Sequence, residues 1–191
     1  MSLAKLRKIE ANKVLGVDAS TNSLAFCIFE DGHVKSYGEI FFDGSDIYER
    51  VLDAKRKTKA LVDAGLLAAD FMALEAGVVV KSAATGIKMA YVFGVIMGEI
   101  LKDNMKVIEV HPITWQSYIG NKNFTKAEKQ AVKDEYPGKS ETWYKGQIRK
   151  MRKQKTLDFF KEKGIITESD NVADAAGIAW YAVNNIMRND G

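Results

Sequence analysis

The chain has one cysteine, two prolines and two histidines among 191 residues. A lone thiol, Cys27, makes no internal disulfide, and it sits in an apolar run where it reads as a small buried hydrophobe. The expected setting is therefore a reducing, cytoplasmic one. Long hydrophobic runs are also missing. The longest are about 10 to 12 residues and are broken by charge or glycine, too short for a bilayer span, so no membrane association is expected. The opening MSLAKLRKIEANK has neither an apolar core nor a small-residue cleavage pattern, so no secretory leader is expected. No Gly-x-Ser-x-Gly occurs, and neither His33 nor His111 has an evident acidic partner, which removes serine-nucleophile chemistry.

The hydrophobic fraction is 47%, enough for one real core, and the chain reads as a single domain over residues 1–191. Its net charge is only +3 but is unevenly spread. Residues 121–163 hold 13 Lys/Arg against 6 Asp/Glu, and the rest of the chain is net acidic. Such asymmetry suits a polyanionic partner, or a solvated helical face. A basic loop-and-helix excursion is expected around residues 120–155, with Trp143 and Tyr144 available either to stack on bases or to anchor the loop.

Along the chain, Val14–Val17 is a continuous apolar run and reads as a central strand. DASTN, residues 18–22, is a turn, and residues 23–30 alternate as a second strand. In that strand Leu24, Phe26 and Ile28 share one face, and Ala25, Cys27 and Phe29 the other. Asp31-Gly32 signals a hairpin into a third strand, residues 34–42. The period then becomes helical over about 45–67, with Asp43-Gly44-Ser45 offering a cap. A short strand, residues 71–74, ends in Glu75; a largely buried helix follows over 82–102, then a strand over 105–110. Pro112 opens a short helix carrying Trp115 and Tyr118, residues 120–146 are polar and turn-rich, and helices follow over 147–163 and 171–188. A strand triplet followed by βα units predicts an α/β fold. It is a five-stranded mixed sheet, a three-strand antiparallel meander plus two parallel strands, flanked by helices.

Three acids stand at the ends of these elements. Asp18 ends the first strand, Glu75 ends the fourth, and Asp174 lies in DNVADAAGIAWYA at the start of the last helix. Ligands of such sheets bind beyond the carboxyl ends of the strands. Carboxylates forced together repel unless a cation joins them, and hard divalent ions do so through oxygen. A pair of such ions is suited to phosphodiester displacement.

LGVDASTNSLAFCIFEDG, FMALEAG, TGIKMAYVFG and NVADAAGIAWYA together, in this order across residues 13–188, resemble the RuvC-like Holliday junction resolvases. The resemblance implies an RNase H-like fold. It also implies a structure-selective DNA endonuclease that resolves four-way junctions through two Mg²⁺ (Mn²⁺ being possible), leaving 5′-phosphate and 3′-hydroxyl ends. The implied partners are branched DNA and a second copy of the chain, with the 82–102 helix a candidate dimer face. Carried over by position, Asp18, Glu75, Asp174 and Asn171 are the implied metal-binding and catalytic residues. Asn171 departs from the family, which usually has Asp there, and Asp170 is an alternative ligand or a helix cap. Val78 stands where some members carry an aromatic wedge.

Phosphate contacts are expected from Arg149, Lys150, Arg152 and Lys153, which cannot all share one helical face, and more weakly from Lys81, Lys88, Lys122 and Lys126. Two other functions remain open. One is a non-catalytic branched-DNA binder, suggested by the uncharged Asn171. The other is an actin- or sugar-kinase-like phosphotransferase, loosely matched by Asp18-Ala19-Ser20-Thr21 but requiring two such domains.

Overall fold

The computed structural model describes residues 13–76 and 82–186. Asp31 and Gly32 both take positive φ, 52° and 79°, as a two-residue turn between right-twisted strands requires. The turn joins β2 (Ser23–Glu30) to β3 (His33–Phe41), and β2 also pairs antiparallel with β1 (Lys13–Ala19). The chain continues through α1 (Ile47–Asp63), β4 (Phe71–Glu75), α2 (Ala83–Ile100) and β5 (Lys106–Val110). β4 runs parallel to β1, and β5 parallel to β4, giving the order β3-β2-β1-β4-β5. This is the mixed sheet expected from the element order. Four helices complete the fold: α3 (Pro112–Tyr118), α4 (Lys126–Glu135), α5 (Glu141–Lys161) and α6 (Asp170–Tyr181), the last running into a π-helical turn, Ala182–Ile186.

Alternation along the strands sorts their residues onto two faces. Leu15, Val17, Leu24, Phe26, Met72 and Leu74 pack under α1 and α2. Val14, Ala25, Cys27, Phe29, Ala73 and Val110 pack under α6, with Trp115 and Phe160 beside it. Burial pushes the Cys27 thiol up to about 12, so it behaves as an inert core side chain.

α6 packs directly on β1, and Gly16 permits it. A Cβ at Gly16 would stand 2.1 Å from the Ala175 carbonyl oxygen and 2.7 Å from the Ala179 Cβ. Gly177, on α6, makes the same allowance for Trp115, whose ring lies 2.4 Å from where a Cβ would be. The small residues of DAAGIA thus let a helix backbone lie directly on the sheet.

Four elements differ from the sequence expectation. The cap of α1 is Asp46, whose side chain accepts from the Tyr48 and Glu49 amides, rather than the preceding Asp-Gly-Ser. α2 is not largely buried: only Val92, Ile96 and Ile100 are, because among the described residues no layer covers its outer side, where Ile87 and Tyr91 are 52% and 47% exposed. By length and composition alone α2 is also the one helix among the described residues long and apolar enough to cross a membrane, a test that core helices of soluble proteins pass as well. The turn-rich segment holds a whole helix, α4, started by a Thr125–Glu128 capping box. Finally, α5 begins at Glu141, six residues before the expected start, under a Ser140 cap.

Candidate active site

Strand register brings the acids into line. Glu39 on β3 lies opposite Ala25 on β2, and Ala25 lies opposite Asp18 on β1. Val17 pairs with Leu74, so Asp18 and Glu75 are the next residues of neighbouring parallel strands, and Glu75 pairs with Val110. Glu39, Ala25, Asp18, Glu75 and Val110 therefore form one row across the sheet, on the face beneath α6. The row lies at the carboxyl ends of β1, β4 and β5. Asp174 reaches the same place from α6, whose first turn is capped by the Ser169 hydroxyl accepting from the Val172 amide at 3.2 Å.

The charges in this row are felt mutually. Burial, then the charges of Asp18 and Glu75, push Asp174 up to about 7. Burial, then Glu75 and Glu39, push Asp18 up to about 6. Lys153 opposes both shifts. Burial also raises Glu75; the indole N–H of Trp115 lies near enough to counter part of that shift. That N–H is fully buried and has no hydrogen-bond partner of full geometry. Repelling carboxylates with raised pKa form an oxygen-donor set whose chemistry suits a hard divalent ion. Among the described residues no three His, Cys, Asp or Glu side chains are grouped closely enough to hold a metal ion.

The other residues singled out by sequence divide sharply. Asn171 sits at the row, its Nδ2 donating to Glu39 Oε1 at 2.6 Å. Asp170 is the first residue of α6 and is ion-paired with Lys153; the cap itself is Ser169. A polar cleft of about 420 Å³ opens beside Glu75 and Asp174, lined by Lys145, Arg149, Arg152 and Lys153 of α5 with Gln116 and Asn121. Lys145, Arg149 and Lys153 recur every four residues and so share one helical face. Lys150 is exposed and lies outside this lining, as do Lys88, Lys122 and Lys126. Lys81 and Val78 lie outside the described residues. On the opposite side of Asp18 and Glu75 lies an apolar hollow of about 350 Å³, with Leu74, Met89 and Phe93 in its walls.

Arg152 is largely committed to the fold. Its Nη2 donates to Gln116 Oε1 at 2.6 Å and to the Asn121 carbonyl at 3.3 Å. Asn121, only 4% exposed, in turn donates to the Arg152 carbonyl and to Thr156 Oγ1 at 2.8 and 2.9 Å. Trp143 and Tyr144 are anchors rather than exposed stacking surfaces. Tyr144 is buried and its hydroxyl donates to the Tyr136 carbonyl at 2.6 Å. With Phe124 and Val132 these aromatics make a small core that fastens α4 to α5. His111 is exposed and makes no side-chain cap bond.

Sequence reasoning missed Glu39, Lys145, Gln116 and Asn121. Lys145 becomes readable once Ser140 is taken as a helix cap, because it then stands one turn before Arg149. The sequence carries no such signal for Glu39.

A meander of three antiparallel strands extended by two parallel ones and flanked by helices is the RNase H-like fold. Among solved structures, T. thermophilus RuvC in complex with a Holliday junction substrate matches with a TM-score of 0.60 at 11% identity, over 91% of this chain and 96% of that one. A second Thermus thermophilus RuvC structure matches with a TM-score of 0.58 at 12% identity, over 90% and 95%. At such identities the likeness is one of fold. No family model and no curated protein sequence matches the chain.

Proposed function

We propose that the chain is a structure-selective DNA endonuclease that hydrolyses phosphodiesters at four-way junctions, with Asp18, Glu75, Asp174 and Asn171 as the oxygen donors for divalent metal. The observation that carries this reading is the meeting of Asp18, Glu75 and Asp174 beside a cleft lined by basic residues of α5. A carboxylate cluster alone is ambiguous; next to a phosphate-sized basic cleft it suits an anionic substrate whose backbone lies across the acids. The RuvC structure with its junction substrate supports branched DNA as that substrate. Two Mg²⁺, or Mn²⁺, bound there would supply an activated water and stabilise the leaving oxygen. The chain's own residues hold the donors in register, and Lys153 and Arg149 draw the phosphate toward them. The buried indole N–H of Trp115 lies beside Glu75. The products carry 5′-phosphate and 3′-hydroxyl ends.

The cleft separates two kinds of basic residue. Replacing Lys145 and Arg149 together by alanine weakens junction binding and lowers the slope of log K against log salt by about 2. Arg152→Ala instead is expected to lower folding stability by about 1–3 kcal/mol, because buried Asn121 and half-buried Gln116 lose a partner. Salt titrations of binding and denaturant unfolding of the same variants check the division. Equal slopes for the Lys145/Arg149 pair and the parent would place the DNA elsewhere.

The uncovered side of α2 supports a homodimer. Tyr91 stacks on Tyr48 with ring centroids 6.4 Å apart, and Leu52 and Ile87 stand exposed around them. An apolar patch of this kind is unusual on a monomer. Ile87→Asp is expected to shift the chain from dimer to monomer in sedimentation velocity. A parent chain that is already monomeric at micromolar concentration would remove the dimer.

A further inference from the structure

Glu39 is a carboxylate in the acidic row for which the proposed chemistry has no use. Both its oxygens are taken. Oε1 accepts from Asn171 Nδ2 at 2.6 Å and Oε2 accepts from the Ser169 hydroxyl at 2.5 Å. A carboxylate so engaged is a poor ligand but a strong fixed acceptor. An ionised carboxylate only accepts, so the Asn171 atom facing it has to be the amide nitrogen. The same nitrogen lies 3.5 Å from Ser23 Oγ on β2. Among the described residues, the amide oxygen of Asn171 accepts no hydrogen bond. Asn171 stands one turn before Asp174, so the two side chains share a face of α6. Asp170 is already paired with Lys153.

We propose that Glu39 is a positioning residue: it holds the Asn171 amide by its nitrogen and so keeps Oδ1 turned away from Glu39, making a neutral amide the fourth oxygen donor of the site. The inference rests on the metal-dependent reading above and assigns the fourth donor to Asn171 rather than Asp170. Orienting partners of this kind act through hydrogen-bond geometry, and their loss typically weakens metal binding about 10–100-fold.

The β2–β3 pairing is built to deliver this contact. From the turn, Glu30 pairs with His33 and Phe29 with Val34, but Ile28 then pairs with Ser36, skipping Lys35. Without that bulge Glu39 would lie opposite Leu24, on the face under α1 and α2. The one-residue slip turns it to the α6 face.

Mn²⁺ binding to the full chain, followed by electron paramagnetic resonance or calorimetry, tests the proposal without reference to cleavage. Glu39→Ala is expected to weaken Mn²⁺ binding about tenfold or more. Glu39→Gln keeps an acceptor for the Asn171 amide and should stay within about threefold of the parent. The third arm is Asn171→Asp, which replaces the amide by a charged ligand and sets it against Glu39. In that background Glu39→Ala should strengthen binding, reversing the sign of its effect. Glutamine as damaging as alanine would show that the charge matters and not the held amide. A loss of the same size in both backgrounds would show that Glu39 only fastens α6. Unchanged Mn²⁺ binding in Glu39→Ala overturns the proposal. Asp18→Asn separates the levels: if it too leaves Mn²⁺ binding intact, the metal-dependent reading itself fails. If it abolishes binding while Glu39→Ala does nothing, the role given to Glu39 fails alone.

Discussion

Asp18→Asn is expected to abolish the proposed junction cleavage, lowering the single-turnover rate by about 10³-fold or more, and to make the metal-free protein more stable at neutral pH. The two effects share one cause. Asp18 and Asp174 are pushed up to about 6 and about 7 by burial and by each other's charge and that of Glu75. In the unfolded chain both return to about 3.9. Their protonated forms therefore favour the fold. That stability is fully present below the unfolded value and is lost as pH rises through the folded values. Without divalent ions the protein should be less stable at pH 8 than at pH 5. Asparagine at position 18 removes one repelling charge and recovers about 2 kcal/mol at pH 8. Below about pH 4 the trend reverses, as Glu30 and Asp53, held low by their lysine partners, take up protons and release them. Denaturant unfolding in a chelator at pH 5 and pH 8 reads the result. A variant less stable than the parent at pH 8 would mean that Asp18 is held by favourable bonds rather than by force.

The second large effect lies at Gly16, which is outside the acidic row. Gly16→Val places a Cβ where the Ala175 carbonyl oxygen stands, 2.1 Å away, and this obstacle is backbone that cannot rotate aside. Valine is otherwise a good strand residue, so propensity alone predicts a gain. The collision decides instead. The variant is expected to lose about 3 kcal/mol or more of stability and its cleavage with it, because Asp174 rides on the helix that must move. Gly146→Ala is the contrasting case. A Cβ there meets nothing within 4 Å, and alanine in that helix interior should stabilise by about 0.5–1 kcal/mol. If Gly16→Val matches the parent in both thermal unfolding and cleavage, then α6 does not need its contact with β1.

These two sites also show what was legible. Asp18 and Glu75 stand out because each ends an apolar run, and a run of that kind reveals both the strand and its end. Asp174 stands out against the small residues of its helix. Their meeting follows from parallel strands under one helix. Glu39 carries no such mark, since β3 is half-exposed and alternates loosely. Counting back from the Asp31-Gly32 turn puts Glu39 on the wrong face, because the bulge at Ile28/Phe29 is a tertiary adjustment with no residue signature. The basic helix was misread for a different reason. Lysines and arginines are ambiguous until a helix start is known, and the start of α5 moved by a turn and a half. Arg152, which looks like a phosphate contact, is committed to holding α3 and α5 together. α2 differs from the expectation because apolar composition does not say how much of a helix is covered.

The central claim is that the acidic row under α6 cuts branched DNA, and one assay tests it most directly. The full chain is incubated with an end-labelled, immobile four-way junction in Mg²⁺ and in Mn²⁺, beside Asp18→Asn. The predicted result is paired nicks on two opposing strands near the crossover, with 5′-phosphate ends, in the parent alone, and with junction binding retained by the variant. Binding without cutting in either metal, with parent and Asp18→Asn indistinguishable, would contradict it and leave a branched-DNA binder on a nuclease fold.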